Sequence, residues 1–262
     1  RFRNSVDLFH AAPLKLVTVF VLVYGLHGQA QDLIGVSEAE SRSTTQVFSL
    51  YGATEASLHP TREQLANLDV LVIDMQDVGA RFYTFQATML YCMQVALPMG
   101  LPVMILDRPN PLGGREVEGP MVCDGFRSFV GAYNIAMRHG LTMGELAMLY
   151  RDQLHLGPGE LCVVSCQGLR GDDFFEATGA PWVLPSPNMP TVDTAVVYPG
   201  QCLLEGTNLS EGRGTTRPFE ISGAPWIDAN RLAEEMNDQG IPGAVFRPVW
   251  FRPTFQKHAG KD

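Results

Sequence analysis

Five apolar runs, Leu16 to Val23, Gln46 to Tyr51, Val70 to Asp74, Val103 to Asp107 and Leu161 to Cys166, are rich in Val, Ile and Leu. Continuous runs of this length fit strands covered on both faces, which is the situation of a parallel sheet. Helical patterns separate them. These are Thr61 to Asn67; Phe85 to Ala96, with Phe85, Met89, Cys92, Met93 and Ala96 on one face; and Thr142 to Leu154, where Thr142 and Glu145 have capping-box spacing. Strands alternating with helices predict an α/β fold with a doubly wound parallel sheet over residues 1–185. From Thr178 the texture changes to a Pro-rich connection, then a short strand at Thr194 to Tyr198, a long polar stretch, a helix at Asp228 to Asn237 and a strand-like run at Ala244 to Phe251. This reads as a second, smaller α+β subdomain over 186–262. Little chain follows its last strand, so the expectation is a truncated subdomain.

A net charge of −9 without a lysine or arginine run argues against nucleic acid or an anionic membrane surface as partner and favours a small molecule. The segment Leu14 to Leu26 is too short to span a bilayer, and no signal peptide is visible. Cys92, Cys123, Cys162, Cys166 and Cys202 contain no CxxC pair and are expected to be buried free thiols rather than metal ligands or disulfides.

The stretch Leu203 to Glu220, LLEGTNLSEGRGTTRPFE, has neither strand nor helix period and reads as a loop outside the core. Its Gly-Arg-Gly-Thr-Thr segment would let the backbone approach a ligand closely, while arginine and hydroxyls supply hydrogen bonds to a small hydroxylated molecule. A solvated loop with local ion pairs is the plainer reading of such a stretch. In parallel sheets ligands bind beyond the carboxyl ends of the strands. Here two strands deliver Asp74, Asp77 and Arg81, and Asp107, Arg108 and Asn110, leading on to Glu118. Each also has an ordinary structural role open to it: Asp77 as a helix cap, Asp107 paired with an arginine, Pro-Asn-Pro as a turn. His139, Trp182 and Trp226 are read first as structural. No GxGxxG, P-loop, HExxH or GxSxG motif is present, so neither a dinucleotide nor a zinc-protease or serine-hydrolase reading has its local signature.

Read together, SLYG at 49–52, LDVLVIDMQDVGARFYTF at 68–85, LDRPNPLGG at 106–114, VEGP at 117–120, SFVGAYNIAMRHGLTMGELA at 128–147, PWVLPSPNMPT at 181–191, YPGQCLLEGTNLSEGRGTTRPFE at 198–220 and GAPWID at 223–228 resemble one bacterial family, the exo-β-N-acetylmuramidases of peptidoglycan turnover. The resemblance covers nearly the whole chain. It implies a Rossmann-like subdomain joined to an auxiliary one, and a glycoside hydrolase that releases non-reducing terminal N-acetylmuramic acid without cofactor or metal. It also implies export to the periplasm or beyond. Such hydrolysis usually needs two carboxyl groups, roughly 5–5.5 Å apart for retention or 6.5–9.5 Å for inversion. Glu205, Glu211 and Asp77 are the catalytic candidates. Arg81, Asp107, Arg108, Asn110, Glu118, His139, Asn188, Asn208, Arg213 and Thr215 are the candidates for binding the sugar, with one of the arginines on its lactyl carboxylate.

One motif departs from the family. After the first strand the family carries Phe-Gly-Pro-Glu-His-Gly, and alignment on Gly25, Gly28 and Gln31-Asp32 puts Val23 and Tyr24 at the Glu and His positions. Neither can act as acid, base or nucleophile in the way those residues do. The alternative function is therefore a muropeptide-binding protein with impaired catalysis.

Overall fold

The computed structural model describes residues 3–22, 45–52 and 54–262. Val23 and Tyr24 lie outside the described residues, as does the end of the first expected strand. The chain divides into two units, Arg1–Pro187 and Asn188–Asp262.

In the larger unit β1 (Thr18–Val21) pairs in parallel with β2 (Gln46–Ser49), Thr18 opposite Gln46. A second parallel sheet has the order β3 (Leu71–Ile73), β4 (Val103–Leu106), β5 (Leu161–Val164), with Leu71 opposite Val103 and Val103 opposite Leu161. The helices are α1 (Ser5–Ala11), α2 (Arg62–Leu65), α3 (Phe85–Ala96) and α4 (Met143–Leu154). Both expected strand–helix alternation and parallel pairing are present. The capping box forms as spaced: Thr142 accepts from the Glu145 N–H, and Glu145 accepts from the Thr142 N–H. The core is one cluster in which Leu71, Ile73, Val103 and Ile105 meet Met89, Leu90 and Met93 of α3 and Met143, Leu146 and Tyr150 of α4. Each such side chain contributes about 1.5–3 kcal/mol by leaving water. Helix α3 is buried on nearly every side from Phe85 to Met93, beyond the single face its pattern suggests.

Some expectations fail. β5 is not covered on both faces: it alternates, with Cys162 and Val164 exposed, because it is the edge of the described sheet. Of the five cysteines only Cys92 is buried, its thiol pushed up to about 12 by burial; Cys123 and Cys162 are exposed, Cys166 and Cys202 half-buried, and all are free.

In the smaller unit, the expected strand Thr194 to Tyr198 is part of a helix, α5 (Val192–Gln201). Thr191 caps it by accepting from the Thr194 N–H, and burial of Thr194, Ala195 and Tyr198 along one stripe overrides the strand preference of Val196 and Val197. Ala244 to Phe251 is not a strand either. The Phe246 N–H and carbonyl are taken by the Asn237 side-chain amide at 2.8 Å each, so the backbone pairs with a side chain at the end of α6 (Ala229–Asp238) instead of a neighbouring strand. The unit's β pairing is the bridge Ser210↔Gly223.

Candidate functional site

In the larger unit, β3 and β4 end side by side, so the loops after Ile73 and Leu106 leave from one edge. Gln76 laces them together, its Nε2 donating to the carbonyls of Asp77 (2.8 Å) and Pro109 (2.9 Å). Asp74 takes the Arg108 Nε at 2.6 Å and also accepts from Ser5 Oγ. Asp107 does not pair with the guanidinium. Its Oδ1 accepts from the N–H groups of Arg108 (2.9 Å) and Gly144 (2.8 Å), and its Oδ2 accepts from Thr142 Oγ1 (2.9 Å). The carboxylate thus sits on the amino end of α4, where the helix dipole favours it. Such a close approach needs glycine, since a Cβ at Gly144 would lie 2.5 Å from Val163 Cγ1 and 2.9 Å from Asp107 Cγ.

Deeper in the same edge, Asp77 and His139 face each other, Oδ2 to Nε2 at 3.3 Å, with side chains 4% and 1% exposed. Asp77 accepts from the Gly79 N–H at 2.7 Å and does not cap α3, whose N-cap Thr84 makes no side-chain capping bond. His139 Nδ1 accepts from the Leu141 N–H at 3.2 Å, and among the described residues its buried Nε2 and Asp77 Oδ1 have no hydrogen-bond partner. Beside them Tyr150 donates to Gln86 Oε1 (2.5 Å), and Gln86 Nε2 donates to the Arg81 carbonyl (2.8 Å). Burial and the charge of Asp77 push the Tyr150 phenol well above its ordinary value. Asn110 is buried, accepting from the Leu112 N–H and donating to the Leu141 carbonyl. Arg81 donates to the carbonyls of Pro120 and Ile135, both at 2.6 Å, so its guanidinium braces loops. Glu118 is the open carboxylate of this edge: 64% exposed, 2.6 Å from Arg138 Nη1, its backbone bridged to Arg138.

An open depression of about 890 Å³ lies elsewhere, among Met148, Arg151, His155, Pro158 and Leu161. It borders the amino end of β5, opposite the edge where open parallel sheets bind ligands.

In the smaller unit the polar stretch starts as a 3-10 turn, Cys202–Gly206, and continues as loop. It is not outside the core: Ser210 and Glu211 are each 2% exposed and Phe219 1%. Gly212 and Gly214 serve the chain's own backbone. A Cβ on Gly212 would lie 2.5 Å from the Ile221 carbonyl oxygen, and one on Gly214 2.5 Å from that of Phe255, and both have left-handed φ. Thr215 closes a turn by donating to the Gly212 carbonyl (2.6 Å), and the Asn208 carbonyl accepts from His258 Nε2 (2.7 Å). Asn188 is buried away from water. Trp226 is 59% exposed, edge-on to the His258 ring, rather than a core residue.

The loop brings Glu205, Glu211 and Arg213 together. Arg213 donates from Nε (3.0 Å) and Nη2 (2.6 Å) to Glu205 Oε1, its Nε lies 3.6 Å from Glu211 Oε1, and its guanidinium stands 5.0 Å over the Phe219 ring. The far side of Glu211 meets Lys257 Nζ at 3.2 Å. Next to this row burial, aided by the charge of Glu205, pushes the Cys202 thiol up to about 12. Glu220 lies at the amino end of α5, accepting from Thr191 (3.0 Å), Thr194 (2.6 Å) and Arg217 (2.6 Å). Burial opposes its ionisation, but those hydrogen bonds and the arginine's charge prevail and hold the carboxyl below its ordinary value. Sequence reasoning missed Lys257, Tyr150 and Glu220 as members of these clusters. Glu220 carried a signal, in the Thr-x-x-Thr start of α5 and in Arg217 three residues before it. Among the described residues no group of His, Cys, Asp and Glu could hold a metal ion.

A family model described as "Exo-beta-N-acetylmuramidase NamZ, N-terminal" matches residues 1–193, and one described as "Exo-beta-N-acetylmuramidase NamZ, C-terminal" matches residues 196–262. The chain is 46% identical over 261 residues to the peptidoglycan β-N-acetylmuramidase NamZ of Bacillus subtilis (strain 168), covering 98% of this chain and 62% of that protein. Two crystal structures of DUF1343 family proteins from Bacteroides fragilis NCTC 9343 superpose with TM-scores of 0.90 and 0.75, at 35% and 27% identity. Each is matched over 99% of this chain but only 66% and 65% of its own length, so the chain spans less than two thirds of all three relatives.

Proposed function

The chain belongs to the exo-β-N-acetylmuramidase NamZ family, and from that premise we propose that it hydrolyses the glycosidic bond of a terminal N-acetylmuramic acid on peptidoglycan fragments. Glu205 is the carboxylate that meets the sugar. The observation that carries this is the row Glu211, Arg213, Glu205, in which side-chain exposure rises from 3% through 19% to 39%, with Lys257, 27% exposed, on the far side of Glu211. A reacting carboxylate must be both reachable and held, and Glu205 is reachable while two donors of one guanidinium hold it. Glu211 is closed to solvent and acts from behind Arg213; Asp77, in the larger unit, is closed to solvent as well. Of the three candidate arginines Arg81, Arg108 and Arg213, Arg108 in the larger unit is the most exposed, at 43%, with its Nε on Asp74. Peptidoglycan lies outside the cytoplasmic membrane, so the same reading places the protein in the periplasm or beyond it. Among the described residues no helix is long and apolar enough to cross a membrane.

Incubation with a chromogenic β-N-acetylmuramide and with the matching β-N-acetylglucosaminide tests the reading. The muramide is cleaved and the glucosaminide, which lacks the lactyl group, is left. Faster cleavage of the glucosaminide overturns it.

A further inference from the structure

We infer that Lys257 is a positioning residue, which acts through Glu211 and Arg213 to hold Glu205 in place. The inference rests on the muramidase reading for its kinetic consequence, but its geometry stands alone. Lys257 Nζ lies within hydrogen-bond distance of four acceptors: the carbonyls of Leu204 (2.9 Å), Glu205 (3.0 Å) and Leu209 (3.1 Å), and Glu211 Oε2 (3.2 Å). An ammonium has three protons. Four acceptors therefore occupy this one fully, and it has no donor left for a ligand. It grips Glu205 twice, directly at the main chain and indirectly along the alternating charges of Glu211 and Arg213. Glu211, with a side chain 3% exposed, has a cation on each side, Lys257 and Arg213. Losing Lys257 leaves a buried carboxylate under-compensated and free to pull Arg213 away from Glu205.

The segment that carries Lys257 is built to keep it there. Thr254 donates its N–H and its hydroxyl to the Gly214 carbonyl, both at 2.9 Å, which is the close approach that Gly214 permits. Gln256 and His258 flank the lysine with φ of 67° and 60°, left-handed backbone that non-glycine residues rarely adopt. The conformation persists because His258 donates to the Asn208 carbonyl and packs edge-on against Trp226. A strained hook thus clasps the loop that bears Glu205 from both sides of Lys257.

The test measures muramide turnover and amide hydrogen exchange in the parent, Lys257→Met, Lys257→Arg, Glu211→Gln, the Lys257→Met/Glu211→Gln double variant, and the exposed control Lys261→Met. Displacement of a reacting group from a distance costs on the order of 10–100-fold. Lys257→Met is expected to lose that much kcat with KM within about 2-fold, the signature of an interaction that matters in the transition state. Lys257→Arg, which keeps the charge, recovers most of it, Lys261→Met matches the parent, and the double variant is no worse than Lys257→Met because both residues act along one row. Unchanged kcat in Lys257→Met, a rise in KM alone, or losses that multiply in the double variant would overturn the inference. Should Lys257→Met not fold, Glu211→Gln carries the same kcat and KM expectation. Should the parent show no turnover, the muramidase reading fails while exchange still decides the positioning role: faster exchange over 204–213 in Lys257→Met with α6 unchanged upholds it, and equal exchange sinks it.

Discussion

The larger unit's polar network, Asp77 and His139 beside Tyr150 and Gln86, and the smaller unit's row from Lys257 to Glu205 are made of comparable groups but have opposite profiles of exposure. Every member of the first is at most 4% exposed at the side chain or fully buried as a residue. The second is closed at Glu211, 3% exposed, and opens toward solvent from there, to 39% at Glu205 on one side and 27% at Lys257 on the other. The Tyr150–Gln86 and Gln86–Arg81 hydrogen bonds and the Asp77–His139 pair, all buried, fix how the loops after β3 and before α4 dock. The row from Glu211 outward carries fixed geometry to one accessible carboxylate. The lesson is that a carboxylate's sequence context does not assign it to chemistry; the route from its partners to water does.

The largest expected effect falls on the open end of the row. Glu205→Gln should lower muramide turnover by about 10²–10⁴-fold while the melting temperature stays at the parent's value; a loss of stability with retained turnover would put Glu205 on the structural side of the comparison. Tyr150→Phe is the mirror experiment. It leaves Gln86 Oε1 buried without its donor, so unfolding free energy should fall by about 1–3 kcal/mol, seen as a melting point several degrees lower, with kcat per folded molecule unchanged. If turnover falls instead, the closed network reaches the chemistry after all.

Glu220 lies between these extremes, half-buried on the start of α5. Its carboxyl is held below the ordinary value of 4.5. It therefore contributes stability that is complete above the unfolded-chain value and is lost as pH falls through the lower, folded one. Glu220→Gln should melt earlier than the parent at neutral pH, by about 1–2 kcal/mol of stability, and the gap should narrow as the solution is acidified below 4.5; a gap that widens in acid contradicts the assignment. The smallest effect belongs to Arg231 and Glu235, an exposed pair four residues apart on α6. Arg231→Ala should leave thermal melting unchanged at 0.15 M salt, where such pairs are screened.

The elements that sequence made legible are those decided by neighbours along the chain. The α3 pattern matches its observed ends at Phe85 and Ala96, and the Thr142 and Glu145 spacing forms the capping box. Misread elements were decided by distant partners. Val196 and Val197 favour a strand, but Tyr198 packs on Phe219 with ring centroids 4.8 Å apart, and that contact belongs to a helix. The run at Ala244 to Phe251 has strand composition, yet Asn237 supplies the hydrogen bonds that a strand would.

For the candidate site, sequence alone determined the inventory and the family: two strand ends rich in carboxylates and guanidiniums, and a loop holding Glu205, Glu211 and Arg213. Local spacing and a long ordered run of motifs are properties of the chain itself, and they survive any folding. Only tertiary structure decided that Asp77 is closed while Glu205 is open, that Gly212 and Gly214 receive the chain's own carbonyls, and that Lys257 stands behind Glu211. That last contact joins residues 46 positions apart. No local pattern encodes it, because the energy of a charge depends on what surrounds it in space, and desolvation and partners are set when the chain closes on itself.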